Sequence, residues 1–205
     1  VTTSGPGATN LVTGIANAMM AIATGVDRIH ATALGIGETL FDTAAQSILE
    51  GQATLASIDV LTPGQGVTST PQFWEMYRDQ VRQQQAAMPV FARAPLVVRE
   101  ALIFPYLAGA EFMHWWETAG PKDTLPYGPR MPVSTEQILH PARYLSEDEP
   151  VPLAFAPDTG VAYEDVLGEN EIRVLLAALA GSDEVQTVVP IGWGGDRFRV
   201  YRTPA

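Results

Sequence analysis

Ser47-Ile-Leu-Glu-Gly-Gln-Ala-Thr-Leu-Ala-Ser-Ile58 is the one stretch of this chain where a carboxylate sits in an otherwise apolar or small-residue segment of helical period. Ala45, Ile48, Leu49, Gln52, Leu55, Ala56 and Asp59 recur at three- and four-residue steps, which predicts a helix with one mostly apolar face. Glu50, Ala53, Thr54 and Ser57 fall on an adjoining strip of small, polar-capable side chains. Glu50 therefore has two readings: it solvates or caps a surface helix, or it has room to meet a ligand or metal. Gly51 costs a helix interior about 1 kcal/mol relative to alanine, so its presence suggests the close approach of another backbone.

Leu49-Glu-Gly-Gln-Ala-Thr54 also resembles the EGDAT-type segment of a family of zinc-metallopeptidase-like proteins. Four later stretches resemble the same family in the same order: Arg99-Glu-Ala-Leu-Ile-Phe-Pro-Tyr106, Ser134-Thr-Glu-Gln-Ile-Leu-His-Pro141, Val166-Leu-Gly-Glu169 and Gly192-Trp-Gly-Gly-Asp-Arg197. The likeness covers residues 44–202. It implies a mostly helical α+β, zincin-like domain. It also implies that Glu50 is the third ligand of a gluzincin-like zinc site, preceded by an HExxH helix.

Residues 2–20, Thr-Thr-Ser-Gly-Pro-Gly-Ala-Thr-Asn-Leu-Val-Thr-Gly-Ile-Ala-Asn-Ala-Met-Met, resemble a different family. Ser4-Gly-Pro-Gly7 is a turn, and Ala8 to Met20 reads as a helix with Ala8, Leu11, Ile15, Ala18 and Met19 on one side. The segment is similar, nearly residue for residue, to part of the pyrimidine-binding domain of acetolactate synthases, which are thiamine-diphosphate enzymes. The likeness stops near residue 21, and no GDG…N pattern for magnesium diphosphate occurs in the chain. The expected division is therefore an acetolactate-synthase-like helical segment at 1–25 and a metallopeptidase-like domain at 26–205.

Composition narrows the partners. A chain of 205 residues suits one domain with a proper core. A net charge of −11 argues against nucleic acid or an anionic membrane surface, both of which select a basic footprint. No apolar run reaches the roughly 20 residues of a bilayer span, and no basic region precedes an apolar stretch as in a secretory signal. A soluble protein is expected, with a peptide or protein partner left open and the oligomeric state not indicated. The absence of cysteine excludes disulfides, thiolate metal sites and a cysteine nucleophile.

Residues 72–88 read as an exposed, glutamine-rich helix. Pro95 suits a helix start, and Leu96 to Phe104 are apolar on most sides, so Arg99 and Glu100 within them need partners. Pro105 ends that helix or starts the next, Tyr106 to Trp116. Ser134 and Gln137 form a capping box for a short helix that Pro141 stops. Residues 143–152 read as an acidic linker and Tyr163 to Ala180 as an amphipathic helix. Val185–Pro190 and Arg197–Arg202 read as strands around the Gly192–Gly195 turn. That turn is expected to pack near the Glu50 helix, with Trp193 covering apolar surface and Asp196 or Arg197 pairing inward.

A zinc peptidase needs three protein ligands, an open water position and a carboxylate base. This chain has three histidines, His30, His114 and His140, no two of them four apart, and no HExxH. His30-Ala-Thr-Ala-Leu34 is the nearest remnant. His114 reads as part of an aromatic core and rim cluster. His140 is either a polar residue at a helix end or a second metal ligand beside Glu50. The sequence thus predicts a metallopeptidase-like domain without its zinc motif, no catalytic residue and no tightly bound zinc. The alternatives are a fragment of a thiamine-diphosphate enzyme or a chimeric chain without a selected function.

Overall fold

The computed structural model describes residues 40–202 apart from Pro71, Asp123 and residues 182–191. The chain divides into two units, Val1–Leu34 and Gly35–Ala205. The acetolactate-synthase-like stretch, His30 and the strand expected at 185–190 lie outside the described residues.

The described part is mostly helical. Helix α1 spans Leu40–Leu61, α2 Phe73–Ala86, α3 Pro89–Ala92 and α4 Leu96–Ala119. Two short helices follow, α5 at Thr135–Leu139 and α6 at Pro141–Leu145. Strand β1, Val161–Asp165, precedes α7, Glu169–Leu179, and β2 is Phe198–Tyr201. The strands pair antiparallel, with Val161 opposite Tyr201 and Asp165 opposite Phe198, and the register shifts between Val161 and Tyr163.

Helices α1 and α4 form the centre. Ala44, Ile48 and Leu55 of α1 meet Phe104, Phe112, Met113 and Trp116 of α4, and Ile138 of α5 closes the cluster. The buried face of α1 differs from the one its hydrophobicity suggests. Thr43, Ser47, Gly51 and Thr54 are buried, whereas Leu49 is 56% exposed and Gln52, Ala56 and Asp59 face outward. The reason is steric. A Cβ placed on Gly51 would lie 2.7 Å from the Ala110 nitrogen, and one on Gly109 would lie 2.8 Å from the Ser47 carbonyl carbon. The two backbones touch, and contact that close selects small side chains before apolar ones.

Three boundaries also differ from expectation. Helix α4 runs through Pro105 without ending, because Ile103, Phe104, Pro105 and Leu107 are all buried and packing outweighs the missing N–H. Pro141 starts α6 rather than only stopping α5, as its fixed φ suits a first helical position. Tyr163 to Asp165, expected to open the amphipathic helix, belong instead to β1, and Gly168, at φ 101°, separates them from α7.

The capping box at α5 forms in modified shape. The Ser134 hydroxyl accepts from the Gln137 N–H at 3.2 Å, while the Gln137 side chain accepts from Val133 N–H at 2.9 Å and donates to the Asp148 carbonyl at 2.8 Å. One glutamine thereby fixes the start of α5 and ties down the chain after α6. A small second core, Val174 and Ala177 against Leu96 and Val97, seats α7 on the start of α4.

Candidate functional site

Glu50 stands one residue before the Gly51–Gly109 crossing. Tyr106 stands three residues before Gly109 on α4, and three residues along a helix return to the same side. The close crossing therefore brings the Tyr106 hydroxyl onto the Glu50 carboxylate, to which it donates. Burial raises the carboxyl's pKa above the ordinary range, and the hydrogen bond from Tyr106 opposes that rise. The Tyr106 hydroxyl is also held well above its usual value, first by burial, then by the charge of Glu50 and the hydrogen bond to it. Glu50→Gln removes the last two causes. An alkaline titration followed by tyrosinate absorbance is expected to show one tyrosine ionising at lower pH in that variant, and identical curves would show that the two side chains are not coupled.

A second group surrounds His140, which caps α5 at its C-terminal end and α6 at its N-terminal end. Its Nε2 lies 2.9 Å from Glu169 Oε1 and 3.4 Å from Arg173 Nη2. Glu169, almost wholly buried at the start of α7, accepts from Arg173 Nε at 2.9 Å and Nη2 at 2.6 Å. The Arg173–Glu169 spacing of four residues is an ordinary helical ion pair. His140 extends it across to α5.

Glu100 and Arg99 lie on α4, as their sequence position requires. Glu100 is buried and takes a two-pronged bond from Arg82 of α2, at 2.7 and 3.0 Å. Arg78 pairs with Glu111 in the same helix pair. Arg82, Arg99 and Glu100 line an open cleft of about 170 Å³ with Gln85 and Phe91.

The glycine turn places Trp193 and Asp196 inward and Arg197 outward. Asp196 Oδ1 accepts from Leu167 N–H at 2.6 Å, and Oδ2 accepts from Gly168 N–H at 2.8 Å and Trp193 Nε1 at 2.9 Å. Trp193 is 8% exposed. Arg197 pairs with Glu164 at the surface. The turn's hydrogen bonds go to the β1–α7 connection and to Val151, whose N–H donates to the Gly194 carbonyl at 2.7 Å, and none of those described reaches α1.

Glu50 is thus brought to Tyr106, and His140 to Glu169 and Arg173, as two separate hydrogen-bonded groups. Among the described residues no three of His, Asp and Glu gather as metal ligands would. His114 packs at a tilt against Trp74, with ring centroids 5.6 Å apart.

Sequence reasoning did not single out Tyr106, Glu169, Arg173 or Arg82. Tyr106 and Glu169 each lie at the end of a quoted motif, and Glu169–Arg173 carries a legible four-residue charge spacing. Arg82 had no local signal, because its partner is contributed by another helix. No helix among the described residues is long and apolar enough to cross a membrane. No family model, curated protein or solved structure matches this chain.

Proposed function

We propose that residues 40–202 form a metallopeptidase-like domain without a catalytic centre of its own, acting as a non-catalytic scaffold or interaction module. The observation that supports it best is the environment of Glu50. A carboxylate partly withdrawn from water, beside a backbone-to-backbone helix crossing and held by one tyrosine, is more constrained than a surface helix requires. The order of the five motifs around it supports the same reading, and the missing HExxH removes the water-activating part.

Zinc titration by calorimetry and hydrolysis of an unfolded protein substrate test this reading together. The expected result is no stoichiometric zinc binding with Kd below about 1 µM and no hydrolysis above the buffer rate. Tight one-to-one zinc binding that Glu50→Gln abolishes would overturn it and make Glu50 a working ligand.

A further inference from the structure

We propose that the first turn of α7 is a two-state cap, in which Asp196 and Glu171 compete for the same backbone donor and ionisation of Glu171 favours release of the Gly192–Asp196 turn. The geometry rests on the positions of the helix start. Gly168 is the N-cap residue, Glu169, Asn170 and Glu171 follow, and Glu171 is therefore the third helical residue. A glutamate at that place ordinarily reaches back to accept the N–H of the N-cap residue. Here that N–H, from Gly168, is already given to Asp196. The neighbouring Leu167 N–H also goes to Asp196, and the Asn170 N–H goes to Thr135 Oγ1 at 3.2 Å.

Glu171 is left short of partners. It is 8% exposed, its carboxylate meets only its own backbone N–H and, from Oε1, a long bond from the Asn170 side chain at 3.4 Å, and its Oε2 has no hydrogen-bond partner among the described residues. The surrounding charged groups are engaged elsewhere. On α7, Glu169 is held by Arg173 and by His140. On α5, Glu136 faces Arg143, and on α4, Glu100 takes Arg82 beside Arg99. Asp165 closes β1 with Tyr163. The charge that acts on Glu171 is Asp196, and it is repulsive.

Burial, reinforced by Asp196, pushes the Glu171 carboxyl up to about 7, against an ordinary 4.5. The sign follows from proton counting. With the turn closed, Glu171 keeps its proton up to about pH 7; with the turn released, it is solvated, accepts the Gly168 N–H and ionises in the ordinary range. The closed form is favoured fully at acid pH and loses ground as pH rises through that window. Strand β2 begins two residues after Asp196, so release loosens the hairpin as well.

The test is amide hydrogen exchange at Leu167 and Gly168, corrected for the intrinsic chemical rate, in the parent chain and two variants. In the parent, corrected exchange is expected to quicken about tenfold between about pH 6 and about pH 8.5. In Glu171→Gln, which keeps the shape but cannot ionise, it is expected to stay flat; in His140→Gln the rise should persist. A flat parent, a rise that survives in Glu171→Gln, or a rise lost in His140→Gln overturns the proposal. Carbon-detected titration of Glu171 in the parent needs no variant: a midpoint near 7 supports the cap, and one near 4.5 overturns it.

Discussion

Replacing Gly51 by alanine is expected to lower the stability of the domain by about 3 kcal/mol, at the upper end for overpacking a well-filled interior. Alanine would itself favour the helix by about 1 kcal/mol, so the steric term must exceed that gain for the prediction to hold. It should, because the obstruction is the Gly109–Ala110 backbone, which cannot rotate away as a side chain would. Gly109→Ala meets the Ser47 backbone from the other side and should cost as much. Moving α1 off α4 would also disturb the contacts of Ile48 and Leu55 with Phe104 and Phe112. Gly194→Ala is the control, since a Cβ there meets nothing within 4 Å. Denaturant midpoints compare the three. An unchanged midpoint for Gly51→Ala would mean that the helices can part at no cost.

Asp196→Ala is expected to cost about 2–3 kcal/mol, the upper range for hydrogen bonds to a charged group in a partly buried setting. Asp196 accepts three hydrogen bonds at 2.6–2.9 Å, and its loss leaves two backbone N–H groups and the Trp193 indole without their acceptor. Arg197→Ala, which breaks an exposed pairing with Glu164, should cost about 0–1 kcal/mol. The two adjacent substitutions therefore separate an inward anchor from a surface ion pair. The penalty for Asp196→Ala should be larger near pH 6 than near pH 8.5, because an ionised Glu171 can take over the Gly168 N–H. Equal denaturation midpoints for parent and Asp196→Ala would show the turn to be a surface hairpin.

Much of the local structure was legible along the chain. The period of residues 44–61 marks α1, Ser134 with Gln137 marks the start of α5, and alternation at 197–200 marks β2. Those signals are local: they depend on side-chain spacing within one turn or one strand. Errors arose where a distant segment chose between local options. Hydrophobic periodicity placed Leu49 and Ala56 on the covered face of α1, but α4 approaches so closely that Ser47, Gly51 and Thr54 take it. Pro105 reads as a break, yet buried neighbours on either side carry α4 through it.

The candidate site divides in the same way. By itself the sequence determined that Glu50 sits among small residues, that Gly51 invites a close backbone, that Arg99 and Glu100 need partners, and that no HExxH is present. It could not say that Gly109 is the backbone Gly51 meets or that Tyr106 covers Glu50. Nor could it say that Arg82 answers Glu100, or that Asp196 rather than Arg197 turns inward. Each of these pairs residues from separate elements, and the tertiary structure decides them because a hydrogen bond depends on where two helices cross, a distance that no single segment encodes.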